Sequence, residues 1–226
     1  IKGLALNSKD VKKGFIFFAI RGNNTNGENY INQAIRNGAV LIICQKNCKF
    51  IDNKVNIIKT NEIRKLISKI TAKFYKLKPK NIFVVTGTNG KTSVADFFYQ
   101  ILTLSNIPVA SIGTLGIKFN SNSIKTKLTT PDIITLHKNL AKIKKNKIDN
   151  VIIEASSHGL HQKRLDNLKL KAGIFTNFSQ DHLDYHKTMK AYLNAKLDLF
   201  SKLLPTNSHI ICDESTKQYK NLKNIS

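Results

Sequence analysis

Apolar positions fall into two kinds of run along this chain. "KGFIFFAI", "VLIIC" and "VNIIKT" are short, largely apolar stretches that predict strands, whereas "GENYINQAIRNGA" sets Tyr30, Ile31, Ala34 and Ile35 at helical spacing ahead of Gly38 as a C-cap. A second helix is predicted from Glu62 to Leu77, with Ile63, Leu66, Ile67, Ile70 and Phe74 on one face. The pattern breaks at "KLKPKN", where Pro79 among lysines marks a linker. A first domain is therefore expected over residues 1–78.

Beyond the linker the alternation becomes regular. Strand "NIFVVTG" is followed by a helix from Lys91 to Leu104, strand "VASIGT", a helix from Ile133 to Lys145, strands "NVIIEAS" and "AGIFTNF", a helix from Met189 to Leu203 and strand "HIICD". Strands alternating with helices argue for a doubly wound, mainly parallel sheet. The expected fold class is α/β: a small N-terminal α/β domain, then a P-loop-type, mainly parallel α/β central domain over residues 79–226. Ligands of such sheets lie at the carboxyl ends of the strands, so the polar clusters there are where chemistry is sought.

Composition narrows the classes. Hydrophobic residues make up 41% and charged residues 23% of the 226, the balance of a soluble globular protein. No run approaches the roughly 20 apolar residues of a membrane span, and "IKGLALNSKDVKKG" has no apolar signal-peptide core, so a cytoplasmic protein without a membrane partner is expected. The formal charge of +23, from 37 Lys+Arg against 14 Asp+Glu, would suit a polyanion. Yet the lysines are spread along the chain with abundant Asn and Ile, and no basic block alternates with aromatics, so no nucleic-acid partner is expected. Cys44, Cys48 and Cys212 form neither a disulfide framework nor a zinc pattern, and Cys44 at the end of "AVLIIC" reads as a buried thiol. Ile1 at the start and "KNLKNIS" at the end lead to the expectation of a piece of a longer protein whose central domain is cut short after "HIICDES".

The sharpest chemical signal is "VVTGTNGKTS", a strand running into a glycine-rich loop that opens a helix. Glycines let backbone N–H groups turn toward a phosphate, the helix N-terminus adds its positive end, Lys91 neutralises the outer phosphates and the Thr92 hydroxyl suits Mg²⁺. The general phosphate-loop pattern places four residues between its first Gly and the Gly-Lys pair; Val85 stands at that first position, so a shorter loop, Gly87 to Thr92, takes its place. Two further clusters follow strands: Glu154 in "IIEASSHGLHQKRL", a carboxylate for a hard cation, and Asp181, His182, Asp184 and His186 in "TNFSQDHLDYH".

The short loop resembles that of the ATP-dependent Mur ligases and folylpolyglutamate synthases. Taken in order, "GTNGKT", "LTTPD", "EASSHGL" and "TNFSQDHLDYH" resemble the MurE-type Mur ligases, and "LNSKDVKKGFIFFAIRGNNTNGENYINQAIRNGA" resembles their uridine-binding N-terminal domain. The resemblance covers nearly the whole chain, and nothing here resembles the family's third, amino-acid-binding domain. It implies an enzyme that adds meso-diaminopimelate or L-lysine to UDP-N-acetylmuramoyl-L-alanyl-D-glutamate through an acyl phosphate, in peptidoglycan synthesis. The chain by itself is then expected not to turn over.

Carried over residue by residue, the resemblance implies that Gly87, Thr88, Asn89, Gly90, Lys91, Thr92 and Ser93 bind ATP. Leu6 and Ser8 would contact the uracil, with Asn23, Asn24 and Thr25 lining the nucleotide site. Thr129, Thr130, Ser156, Gln162 and Arg164 would hold the UDP-sugar substrate. Thr92, Glu154, His182 and Lys196 would hold Mg²⁺, the last as a carbamate, with Lys91, Glu154, His182 and Lys196 as the catalytic set. His158, His161 and His186 would support them. A monomer is expected, whose only partners are the UDP-N-acetylmuramoyl dipeptide and an amino acid. The runner-up is a folylpolyglutamate synthase-like ligase, which shares the loop but lacks the uridine-type domain and the "SSHGL" run.

Overall fold

The computed structural model describes residues 1–22, 25–120 and 122–225. They form two compact units, Ile1–Thr71 and Ala72–Ser226. Among the described residues no helix is long and apolar enough to cross a membrane.

The first unit carries a parallel sheet in the order β1-β2-β3-β4, with β1 at Gly3–Ala5, β2 at Phe15–Ala19, β3 at Ala39–Gln45 and β4 at Asn56–Thr60. Helix α1, Ile31–Arg36, buries Ile31 and Ala34 in a core with Phe17, Ala19, Ile42 and Cys44. The turn before it, Gly27–Tyr30, is a 3₁₀ helix capped by the Asn26 side chain, and Tyr30 is exposed rather than on the buried face. Strand β1 has no counterpart among the expected strands, because three residues give no readable period.

Helix α2, Ile63–Phe74, is shorter than expected and contains the point where the two units divide, upstream of the expected break at residues 78 and 79. It buries Ile63, Ile67, Ser68 and Thr71, while Phe74 and Leu77 are exposed. The apolar face read from the sequence therefore extends past the residues that reach a core.

In the second unit a sheet of seven strands runs β11-β10-β5-β9-β6-β7-β8. Strands β5 (Asn81–Thr86), β6 (Val109–Gly113), β9 (Asn150–Glu154), β10 (Ala172–Phe175) and β11 (His209–Cys212) are parallel, as the alternation predicts. Strands β7 (Gly116–Phe119) and β8 (Asn122–Ile124) pair antiparallel on one edge, and the sequence reading has no strand there. Both are short and carry mixed Ile, Lys, Asn and Ser positions, so the two-residue period is faint.

Helices α3 (Lys91–Leu104) and α4 (Ile133–Lys145) begin and end where their spacing predicts. The Asp132 side chain caps α4 by accepting from the Ile134 and Thr135 N–H groups, and Leu136, Leu140 and Ile143 pack into the main core with Val84, Ile112 and Ile153. Two single-turn helices, α5 (Ser157–His161) and α6 (Leu183–His186), sit at strand ends and are too short to show periodicity.

The single helix expected from Met189 to Leu203 is instead α7, Met189–Asp198, followed by a wider π turn at Leu199–Leu203. The Leu204 N–H bonds Leu199 O at 3.0 Å, and the widened turn buries both Leu199 and Phe200. Phe200 lies 6.1 Å from Phe175 and directly over Gly173, where an added Cβ would come within 2.8 Å of its ring. A last short helix, α8, spans Tyr219–Lys223.

Candidate active site

The registers Val85↔Glu154 and Val85↔Ile174 bring the carboxyl ends of β9, β5 and β10 level with one another. Everything polar that follows those strands is thereby gathered at one edge of the sheet. The loop after β5 reaches α3 through Gly87 at φ +147 and Gly90 at φ +81, the latter capping the helix. Gly87 is required twice over, since its backbone lies where L residues are strained and a Cβ there would fall 1.9 Å from Thr176 Oγ1.

The loop is fixed from outside. Thr88 N–H donates to Asn177 O at 3.0 Å, Asn89 N–H to Asn177 Oδ1 at 2.9 Å, and Thr176 Oγ1 to Asn89 O at 2.6 Å. Thr88 Oγ1 accepts from Ser179 N at 3.0 Å and lies 3.2 Å from the Tyr192 hydroxyl. The segment after β10 and helix α7 thus hold the loop in shape before any ligand arrives.

Two lysines enter this loop. Lys91 Nζ donates to Gly87 O at 2.9 Å and Thr88 O at 2.7 Å. Lys196 Nζ donates to Gly87 O at 2.6 Å and lies 4.6 Å from the centre of the Tyr192 ring. Burial lowers the pKa of Lys91, against the attraction of Glu154 and Asp181. Lys196 is only 1% exposed, and burial, helped by the nearby Lys91 charge and opposed by Asp181, brings it down to about 7.

Glu154, at the end of β9, is buried and accepts from three donors: Thr92 Oγ1 at 2.8 Å, Thr114 N at 2.9 Å and Thr114 Oγ1 at 3.1 Å. Gly113 makes the approach possible, because a Cβ there would sit 1.9 Å from Glu154 Oε1. The same strand end holds the next loop: Thr130 Oγ1 donates to Glu154 O at 2.8 Å and accepts from Ser156 N at 2.9 Å. Arg164 donates to Thr130 O, and its Nη2 to Gln162 Oε1 at 2.8 Å. Ser156 caps α5 by accepting from Gly159 N.

Imidazoles crowd the far side. The His158 ring lies 4.9 Å from His182, 5.6 Å from His186 and 4.1 Å from Tyr185, whose hydroxyl is 2.9 Å from His161 Nδ1. His186 is held down to about 4, mainly by burial and then by its imidazole neighbours, and His158 is lowered for the same first reason.

A strand-end loop with inward lysines beside a buried carboxylate is what a phosphate ester with a divalent cation needs. The sequence also matches two family models. The Mur ligase middle domain matches residues 85–226, and the Mur ligase family, catalytic domain, matches residues 1–75. This chain belongs to the Mur ligase family.

Its relatives include the UDP-N-acetylmuramoyl-L-alanyl-D-glutamate–2,6-diaminopimelate ligases of Rickettsia prowazekii, 44% identical over all of this chain and 48% of the relative, and of Brucella melitensis, 41% identical over 93% of this chain and 43% of the relative. A solved structure of a ligase of that name superposes on 99% of this chain and 45% of its own, with a TM-score of 0.83 at 28% identity. The Escherichia coli FolC structure with bound ADP and DHPP covers 70% of this chain at a TM-score of 0.53 and 16% identity, a likeness of fold alone. The chain spans about half the length of the curated relatives it matches.

Within this Mur ligase chain the residues expected to bind ATP are contiguous in one loop and helix start, and Thr92, Glu154, Thr129, Thr130 and Ser156 are linked to one another through hydrogen bonds, with Gln162 and Arg164 joined to Thr130. His182 stands apart from that chain of bonds: it is exposed, in the left-handed backbone region at φ 52, against Asp181 and His158. Among the described residues no three or more His, Cys, Asp or Glu side chains are placed together to hold a metal.

In the first unit Ser8 is buried and donates to Gln33 Oε1 at 2.6 Å, the cap of its turn being Asn7 instead. Leu6 is half-buried and Thr25 exposed, while Asn23 and Asn24 lie outside the described residues. Thr114 and Tyr192 are absent from the sequence reading, although "VASIGT" ends a strand at the very edge where polar residues are sought.

Proposed function

We propose that this chain is the nucleotide- and UDP-substrate-binding part of an ATP-dependent ligase that joins a third amino acid to UDP-N-acetylmuramoyl-L-alanyl-D-glutamate in peptidoglycan synthesis. The buried Glu154 carboxylate bonded to Thr92 at the start of α3 carries the reading, because it sets an oxygen donor pair beside a phosphate loop. Such a pair fits Mg²⁺, which is held by one or two carboxylates together with substrate phosphates. The names of relatives at 41% and 44% identity support the substrate assignment, and the whole reaction is proposed for a polypeptide of their length.

ATP supplies the phosphoryl group that turns a substrate carboxylate into an acyl phosphate, and Mg²⁺ spreads the charge between the two anions. The chain's own residues do the rest. Apart from the Thr88 and Asn89 N–H groups, which Asn177 holds, the N–H groups of the loop from Gly87 to Ser93 cradle phosphate oxygens, and Lys91 exchanges the Gly87 and Thr88 carbonyls for them. Thr92, Glu154, His182 and a carbamylated Lys196 are the proposed Mg²⁺ ligands. Thr129, Thr130, Ser156, Gln162 and Arg164 position the UDP-linked substrate, whose uracil meets Leu6 and Ser8. The functional division at residues 78 and 79 is kept, since the two family matches end and begin on either side of it. A cytoplasmic monomer without nucleic-acid or membrane partners completes the reading.

Titration with UDP-N-acetylmuramoyl-L-alanyl-D-glutamate and, separately, with dihydrofolate tests the assignment. Binding of the first and not the second is expected; the reverse would move the chain to the folylpolyglutamate synthase-like reading.

A further inference from the structure

Thr114 lies in the turn between β6 and β7 and is the most connected residue at Glu154. Its N–H reaches Oε1 at 2.9 Å and its hydroxyl Oε2 at 3.1 Å, so one residue grips both oxygens and fixes the plane of the carboxylate. A hydroxyl has one proton, and the Thr114 hydroxyl donates it to Glu154 Oε2. In the contact at 3.1 Å between the two threonine hydroxyls, Thr129 must therefore be the donor. The result is a directed chain, Thr129 to Thr114 to Glu154, in which each bond polarises the next.

We propose that Thr114 is a positioning residue that holds Glu154 in the orientation Mg²⁺ requires and ties that carboxylate to the Thr129–Thr130 loop. The proposal rests on the nucleotide and Mg²⁺ reading above. A cation drawn to Oε2 shares that oxygen with the Thr92 and Thr114 hydroxyls, while the Thr114 N–H holds Oε1 independently, so Thr114 keeps the carboxylate in plane from both sides. Any residue but proline at this position would supply the N–H, but threonine or serine is needed for the second bond and the acceptor for Thr129. Gly113 supports the same end, for only a residue without a Cβ lets the carboxylate lie against the turn.

The test is calorimetric titration of the 226-residue chain with a non-hydrolysable ATP analogue, in Mg²⁺ and again in EDTA. Loss of a residue that orients a metal ligand typically costs about 10- to 100-fold in metal affinity, so Thr114→Val should weaken binding about 10-fold in Mg²⁺ and leave it unchanged in EDTA. Thr114→Ser should keep the wild-type Mg²⁺ response, which a purely structural role for the methyl group would not give. Should Thr114→Val fold poorly, judged by its thermal midpoint, Thr114→Ala serves in its place. A wild-type Mg²⁺ response in the valine or alanine variant would overturn the proposal and leave the nucleotide reading standing. Absence of Mg²⁺-dependent binding in the unaltered chain would instead overturn that reading itself.

Discussion

Lys91 and Lys196 converge on one oxygen, Gly87 O, at 2.9 and 2.6 Å. They come from the start of α3 and the body of α7, so two cations share a single acceptor in the loop. The more buried of them gives way: Lys196 falls to about 7, burial being the larger cause and the Lys91 charge the next.

A lysine so lowered is largely neutral just above neutral pH and can add CO₂. In that addition the amine nitrogen would bond the carbon and release a proton, and a cation that would repel Mg²⁺ would become a carboxylate-like ligand. In a ligase of the relatives' length, Lys196→Ala is therefore expected to reduce turnover about 100-fold, the upper end of what loss of a mere supporting partner of a metal ligand costs. A short carboxylic acid should restore part of it. Near-normal turnover of the variant in CO₂-depleted buffer would show that neither a carbamate nor the amine bonded to Gly87 O is needed at Lys196, and that the Mg²⁺ site is built without it.

Gly113→Ala tests the space beside the carboxylate. Its Cβ would sit 1.9 Å from Glu154 Oε1, so either the turn or the carboxylate must move and the bond to Thr114 N is lost. Mg²⁺-dependent nucleotide affinity should fall about 10- to 100-fold. A crystal structure of the variant with Glu154 unmoved, or unchanged affinity, would show the approach to be incidental.

His137 makes a prediction about stability. It is fully buried on α4; neither ring nitrogen has a hydrogen bond of normal geometry, though the Asp166 carbonyl lies close enough to favour a proton there. Burial chiefly, with the Lys78 charge second, holds it down to about 4, against 6.5 for a free imidazole. The folded state keeps His137 neutral while the unfolded chain takes up a proton below pH 6.5, so stability present above that pH is lost progressively as pH falls toward 4. The loss from this one group is on the order of 3 kcal/mol. His186 acts in the same direction, so His137→Leu should halve the decline in thermal midpoint between pH 7 and pH 4.5 rather than abolish it. An undiminished decline would mean that the ring does not stay neutral in the fold.

What the sequence discloses about this fold depends on length and local chemistry. Helices α3 and α4 span three or more turns and start at recognisable signals, Gly90-Lys91 and Asp132, and α4 adds a clear apolar face, so their limits are readable. The phosphate loop is readable for the same reason, strand, glycines and helix being consecutive. Thr114 is not, because half of its contact with Glu154 is a backbone N–H that every residue but proline possesses, and the bond spans 40 positions. The left-handed turn at His182, the π turn after Asp198 and the β7–β8 hairpin are likewise set by packing and by short segments without a period.

In the proposed function the loop from Gly87 to Ser93 binds the phosphates of a nucleotide, while a separate set of residues binds the UDP-linked substrate. Lys91 is the residue on which the first half depends, since it already lines the Gly87 and Thr88 carbonyls and is the loop's own cation. The most direct measurement is calorimetric titration of Lys91→Ala with an ATP analogue in Mg²⁺ and with UDP-N-acetylmuramoyl-L-alanyl-D-glutamate. Nucleotide binding should disappear while the UDP-linked substrate binds largely as before; equal loss of both ligands, or nucleotide affinity that survives the substitution, would contradict the assignment.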